Sequence, residues 1–159
     1  MNIKNFFAIG VMSGTSLDGI DIAYIRFTQA NDGYNYEIMH AETFEYENYW
    51  IENLKIALDF DEAKLHDLNV EYTEYLSVVI YDFIVKYQIA AIDFIASHGH
   101  TIKHRPDLGY TLQIGNLPGI KKYLPYPIVC DFRVQDVELG GQGAPLVPIG
   151  DALLFADYD

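Results

Sequence analysis

The order of elements in this 159-residue chain predicts an α/β fold, a mixed sheet with flanking helices. Apolar strand-like runs come first and last, and between them the hydrophobic period lengthens to that of a helix. A further observation says where function would lie. Three of the apolar runs end in clusters of small or polar residues, and α/β sheets build their sites at such strand ends.

Phe6 to Met12 is a short apolar run suited to a strand, and it leads into Ser13 to Asp18, a turn crowded with Gly, Ser and Thr. Ile20 to Phe27 resumes as a second strand, so Asp18-Gly19 reads locally as a hairpin turn. The N–H groups of a tight turn also form an anion-binding concavity, here with no bulky side chain in the way. Tyr34 to Tyr46 is a third strand, joined to the second by Asn31-Asp32-Gly33. An antiparallel meander is therefore expected first. Helices are expected over Tyr49 to Phe60 and Asp61 to Gln88, where Leu65, Leu68, Tyr72, Leu76, Val79 and Phe83 recur at helical spacing as a core-facing stripe. Strands follow at Phe94 to Ser97, Thr111 to Ile114 and Ile128 to Phe132, with a short helix near Leu117 to Tyr123. No internal repeat, low-complexity tract or linker divides the chain.

Half the residues are hydrophobic, enough for one domain with a real core. A net charge of −13, from 23 acidic and 10 basic residues, argues against a nucleic-acid binder, which needs a basic surface. The single cysteine, Cys130, excludes an intrachain disulfide framework and fits a reducing compartment. No stretch approaches the apolar length of a membrane helix, and the apolar start after Lys4 lacks a small-residue cleavage pattern. The expectation is a cytoplasmic protein with a small-molecule partner, no nucleic acid and no membrane, with a homodimer left open.

The second cluster, Val129 to Pro148 (VCDFRVQDVELGGQGAPLVP), sets Asp131, Arg133 and Asp136 just past an apolar run, followed by Gly140, Gly141 and Gly143. From spacing alone Asp136 is either a surface acid or a general base. Asp131 and Arg133, alternating from a strand end, can pair with each other, and Arg133 can also grip a carboxylate in bidentate fashion. The third cluster is Ile95 to Thr101 (IASHGHT), closely followed by Tyr110 to Gly115 (YTLQIG). Its His98 and His100 form an HxH pair, which in a regular strand puts both imidazoles on one face and would suit a metal-dependent hydrolase. Thr101 and Gln113 are partners for sugar hydroxyl or amide groups, or for local backbone. GTSLD is not GxSxG, so no serine nucleophile is expected on an elbow.

Together, IGVMSGTSLDGID, SHGHT and DFRVQDVELGGQGAPLVP resemble the anhydro-N-acetylmuramic acid kinase family over nearly the whole chain. The resemblance implies a two-lobed enzyme of the sugar kinase, Hsp70 and actin superfamily. Residues 1–159 would be its ribonuclease H-like first lobe, with the second lobe absent. It also implies ATP-dependent opening of the anhydro bond of 1,6-anhydro-N-acetylmuramic acid with phosphorylation of the 6-oxygen, giving N-acetylmuramic acid 6-phosphate for cell-wall recycling. By the same resemblance Asp136 is the base that activates water. Gly14, Thr15, Ser16, Leu17, Asp18, Gly19, Ile20 and Asp21 form the ATP loop, with Asp18, or else Asp21, near Mg²⁺. His98, Thr101, Gln113 and Arg133 address the sugar, Arg133 through the lactyl carboxylate. The family more often has glutamine where His100 stands, so the resemblance makes His100 a substitution and not a metal ligand. The alternative of a different class is a truncated lobe without turnover, since cleft closure needs both lobes.

Overall fold

The computed structural model describes residues 4–30, 33–144 and 147–155. The expected meander is present as β1 (Lys4–Ser13), β2 (Gly19–Ala30) and β3 (Gly33–Glu45), paired antiparallel. The Asn31-Asp32 part of its second turn lies outside the described residues. β4 (Phe94–Arg105) runs parallel to β1 and extends the order β3-β2-β1-β4. Its other edge is shared. β6 (Ile128–Cys130) pairs parallel along Ile95–Ser97, and β5 (Tyr110–Ile114) pairs antiparallel along His100–Arg105. With α1 (Asn48–Ile56) and α2 (Glu62–Lys86) between β3 and β4, this is the mixed, helix-flanked sheet of a ribonuclease H-like lobe.

Three elements differ from expectation. β4 runs eight residues past Ser97, because β5 supplies ladder partners to a polar stretch that does not read as a strand by itself. β6 stops at Cys130. Asp131 takes a left-handed φ of 58°, and the chain turns into the short helix α3 (Val134–Glu138). Leu117 to Tyr123 forms only a 3-10 turn at Pro118–Lys122.

α2 begins on the Asp61 carboxylate, which accepts from Lys64 N at 2.8 Å. Its stripe of Leu68, Tyr72, Leu76, Val79, Ile80 and Phe83 is buried in one cluster with Ile9, Val11, Ile20, Ile22 and Ile95 of the sheet. The opposite sheet face is mostly open. Ala41, Ala23, Gly10 and Ala96 stand in register across four strands and floor a trough of about 670 Å³ that Asp21, Thr43, Met12, His98 and Phe132 help to line. Further along this face, Phe6, Phe27 and Phe94 meet the helical residues Val147–Gly150 and Asp151–Phe155. Among the described residues no helix is long and apolar enough to cross a membrane.

The register between β1 and β4 slips once. Val11 pairs with Ser97 but Ser13 with His100, so β4 carries an extra residue, a bulge centred on Gly99 at φ 69°. A Cβ there would lie 2.5 Å from Ile114 O and 2.9 Å from the Asn116 amide nitrogen. The bulge resets the alternation, leaving Ser97 and His100 on the α2 face and His98 on the trough face. The expectation that both imidazoles share a face is therefore overturned, because that inference needs an unbroken strand.

On the α2 face lies a closed polar cluster. Ser13 Oγ is 2.6 Å from Tyr46 OH, 2.6 Å from Tyr72 OH and 3.1 Å from His100 Nδ1, and the two phenols are 2.6 Å apart. Four contacts need four hydrogens, and three hydroxyls supply three. The fourth comes from imidazole, so His100 carries a proton on Nδ1. Burial lowers the His100 pKa from 6.5 to about 4, which leaves the ring neutral at pH 7.

Two outcomes are expected. Gly99→Ala should destabilise the protein by about 2 kcal/mol or more, from strain at positive φ plus the clash with Ile114, read as a lowered urea midpoint. Because the His100 pKa is depressed by folding, the unfolded chain binds its proton more readily. The stability that follows is fully present above pH 6.5 and is lost as pH falls through about 4, a change on the order of 3 kcal/mol. Denaturation at pH 7.5, 5.5 and 4.5 checks the sign, and His100→Asn should flatten the slope.

Candidate functional site

Where β1 ends, Leu17 N closes a turn onto Gly14 O at 3.3 Å. Leu17 sits at φ 60°, unusual for a branched side chain, and that side chain packs against the core cluster. Thr15 and Ser16 stay exposed, and among the described residues their amides reach no acceptor. The Ser16 hydroxyl donates to Asp18 Oδ1 at 2.6 Å. That bond, followed by the backbone amides of Asp18 and Gly19, holds the Asp18 carboxyl below its ordinary pKa. The donors at this turn thus face a carboxylate from within the turn itself. Gly19 and Ile20 are buried in β2, so what they offer the loop is backbone. Asp21 accepts from Thr43 Oγ1 at 2.5 Å and helps line the trough.

Asp136 sits on α3, half-buried, with Gly143 N donating to its Oδ2 at 2.6 Å. A Cβ on Gly141 would coincide with this carboxylate, so the acid lies flat on glycine backbone. Its Oδ1 makes no hydrogen bond among the described residues. Arg133 reaches the same loop, donating from Nη1 to Gly143 O at 3.0 Å. From Nε it donates to His98 Nε2 at 2.7 Å, while His98 Nδ1 donates to Gly99 O at 2.8 Å. His98 is therefore neutral, its pKa lowered by burial and by the Arg133 charge. His98, Arg133 and Asp136 are thus linked through hydrogen bonds to the N–H and C=O of one residue, Gly143. Arg133 does not pair with Asp131 as spacing allowed, because Asp131 leaves the strand in a left-handed turn.

Thr101 and Gln113 face each other across β4 and β5, and Gln113 Nε2 donates to Thr101 Oγ1 at 3.3 Å and to Thr111 Oγ1 at 2.9 Å. Gln113 is buried and its Oε1 has no partner among the described residues, an acceptor left over in a polar layer against which α3 packs. His98 and Asp21 line the same trough, so the first loop and the SHGHT strand meet there. The metal-hydrolase alternative finds no support. Both ring nitrogens of His98 are engaged, His100 is on the other face, and among the described residues no group of three or more His, Cys, Asp or Glu could hold a metal. Sequence reasoning missed Ser13, Tyr46 and the Tyr72 hydroxyl. The available signal was a tyrosine within an apolar stripe, since a buried phenol demands a partner.

The family described as anhydro-N-acetylmuramic acid kinase matches residues 6–159. Curated relatives named anhydro-N-acetylmuramic acid kinase include those of Shewanella baltica, 35% identical over 98% of this chain, and Rhizobium johnstonii, 37% identical over 95%. The Methylobacterium nodulans relative of the same name is 39% identical over 89% of the chain. The chain spans 43% of the length of each of these three relatives. Together with the sheet order and the three strand-end segments, these matches show that the chain belongs to the anhydro-N-acetylmuramic acid kinase family.

Proposed function

We propose that this chain is the nucleotide-loop and base-bearing lobe of a kinase that converts 1,6-anhydro-N-acetylmuramic acid, water and ATP to N-acetylmuramic acid 6-phosphate and ADP. Such a product belongs to peptidoglycan recycling. The observation that carries the reading is the Asp136 carboxylate, anchored through Oδ2 by Gly143 N with Oδ1 left open. A base must be held firmly and still present a lone pair, and this carboxylate does both. Oδ1 takes a proton from water as the water oxygen bonds to the anomeric carbon. The bond from that carbon to the 6-oxygen breaks, and the 6-oxygen, keeping the electron pair, becomes the group that is phosphorylated.

Mg²⁺-bound ATP supplies the phosphoryl group. The open amides of Thr15 and Ser16 would hold its phosphates, and Asp18 would hold the cation, which keeps several of its waters. Arg133 retains Nη2 for the lactyl carboxylate while Nε and Nη1 fix its plane, and His98 acts by orienting it. Since the relatives are more than twice as long, turnover is proposed for a protein of their length. The chain by itself is proposed to bind ligands without completing the cycle.

Asp136→Asn, in a protein extended to the length of its relatives, should lower sugar phosphorylation by about 10²–10⁴-fold while sugar and ATP still bind. Coupled detection of ADP measures the rate and calorimetry the binding. Turnover at the wild-type rate would remove Asp136 from the mechanism.

A further inference from the structure

The reaction proposed above does not use the buried cluster of Ser13, Tyr46, Tyr72 and His100, whose members are 1%, 6%, 0% and 3% exposed. No substrate can reach it. A serine beside an imidazole invites comparison with a nucleophile and its base, yet the Ser13 hydroxyl is enclosed by two phenols and the ring. What distinguishes the cluster is its position. Ser13 is the last residue of β1, and Gly14, the first of the turn, follows it directly. Tyr46 comes just past β3, Tyr72 from the middle of α2, and His100 from β4 just past its bulge. Four separately folded pieces thus converge on one hydroxyl at the root of the loop.

The Ser13–Ile20 and Gly19–Glu45 ladder pairs hold the two ends of the loop. Between them its restraints among the described residues are few: the single long bond from Leu17 N to Gly14 O, the exposed Ser16 to Asp18 contact, and the packing of the Leu17 side chain. An amide cradle binds an anion tightly only if its donors are already aimed, since the apparent affinity falls with the fraction of molecules in the competent shape.

We propose that Tyr46, Tyr72 and His100 are positioning residues that act through the Ser13 hydroxyl to fix the backbone from which the Thr15 and Ser16 amides project. The proposal rests on the reading of Gly14 to Gly19 as the phosphate loop. His100 has a defined part in it. Its Nδ1–H is the one hydrogen that completes the four contacts, so a replacement must donate from the same place. Asparagine can, because its amide nitrogen stands about where Nδ1 does; leucine cannot.

The test compares wild type with Tyr72→Phe, His100→Leu and His100→Asn, using backbone ¹⁵N relaxation and Mg²⁺-ATP titration followed at the loop amides. The Thr15 to Asp18 amides should fall from the rigid range near 0.85 to below about 0.6 in order parameter for Tyr72→Phe and His100→Leu, and recover in His100→Asn. Ile9 and Ile22, in the ladder, should stay rigid in all of them. Mg²⁺-ATP affinity should weaken about tenfold in the two loosened variants and return with asparagine. Tyr46→Phe, at the cluster's edge, replaces Tyr72→Phe if that variant does not fold. Loop order unchanged in folded Tyr72→Phe and His100→Leu overturns the proposal, because a cluster that only fills the core would cost stability without loosening the turn. Loosened loops in the variants, together with a wild type that never responds to Mg²⁺-ATP, would sustain the positioning role and overturn the phosphate-loop reading.

Discussion

One inserted residue in β4 decides which partners the two histidines beside it can reach. Side chains alternate along a strand, so a single extra residue exchanges the two faces from that point on. With Gly99 absorbing the insertion, His100 turns inward to complete the Ser13 cluster and His98 turns outward to Arg133. An unbroken strand would send both imidazoles the same way, and either the cluster or the arginine would lose its partner. The bulge is itself enclosed, with Ile114 O and the Asn116 side chain closing on the bare Cα, and Asn116 Nδ2 reaches His98 O at 3.4 Å.

The electrostatics around Arg133 are unusual for so acidic a protein. Its partners are a neutral imidazole and a carbonyl oxygen, so its geometry is fixed and its charge is not cancelled. The ion pairs among the described residues lie elsewhere, at Arg26–Glu37, Lys86–Glu42, Arg105–Asp107 and Lys122–Glu74, with partners largely exposed. Solvent screens these pairs, so they add little to stability, and none borders the Asp136 loop. A guanidinium oriented without a counter-charge is what an anionic group of a ligand would meet.

The strands of the meander and the α2 stripe were legible because a period of two and a period near 3.6 leave different marks in apolar spacing. The strand-end clusters were legible for the same reason, as interruptions of those patterns. Two things were not. A glycine between two histidines looks the same whether it turns the chain or bulges a strand, and only the pairing of Ser13 with His100 distinguishes them. Tyr72 counted as one more large side chain in a stripe, since its hydroxyl acquires meaning only when Ser13 and Tyr46, 59 and 26 positions away, arrive beside it. Arg133 was noticed, but its partner His98 is 35 residues upstream, beyond any local pattern.

The row of Ala41, Ala23, Gly10 and Ala96 also bears on how a sheet with one bare face keeps its fold. Three methyl groups and a hydrogen leave little apolar area per residue in contact with water, so wetting this face forfeits little of the hydrophobic free energy that burial would bring. The large side chains that must be dry are gathered on the other face under α2. Anything that covers the trough would therefore gain less from expelling water than from van der Waals contact with backbone it can approach closely. Such contact depends steeply on fit, so the trough favours a partner of matching shape over one that is merely greasy.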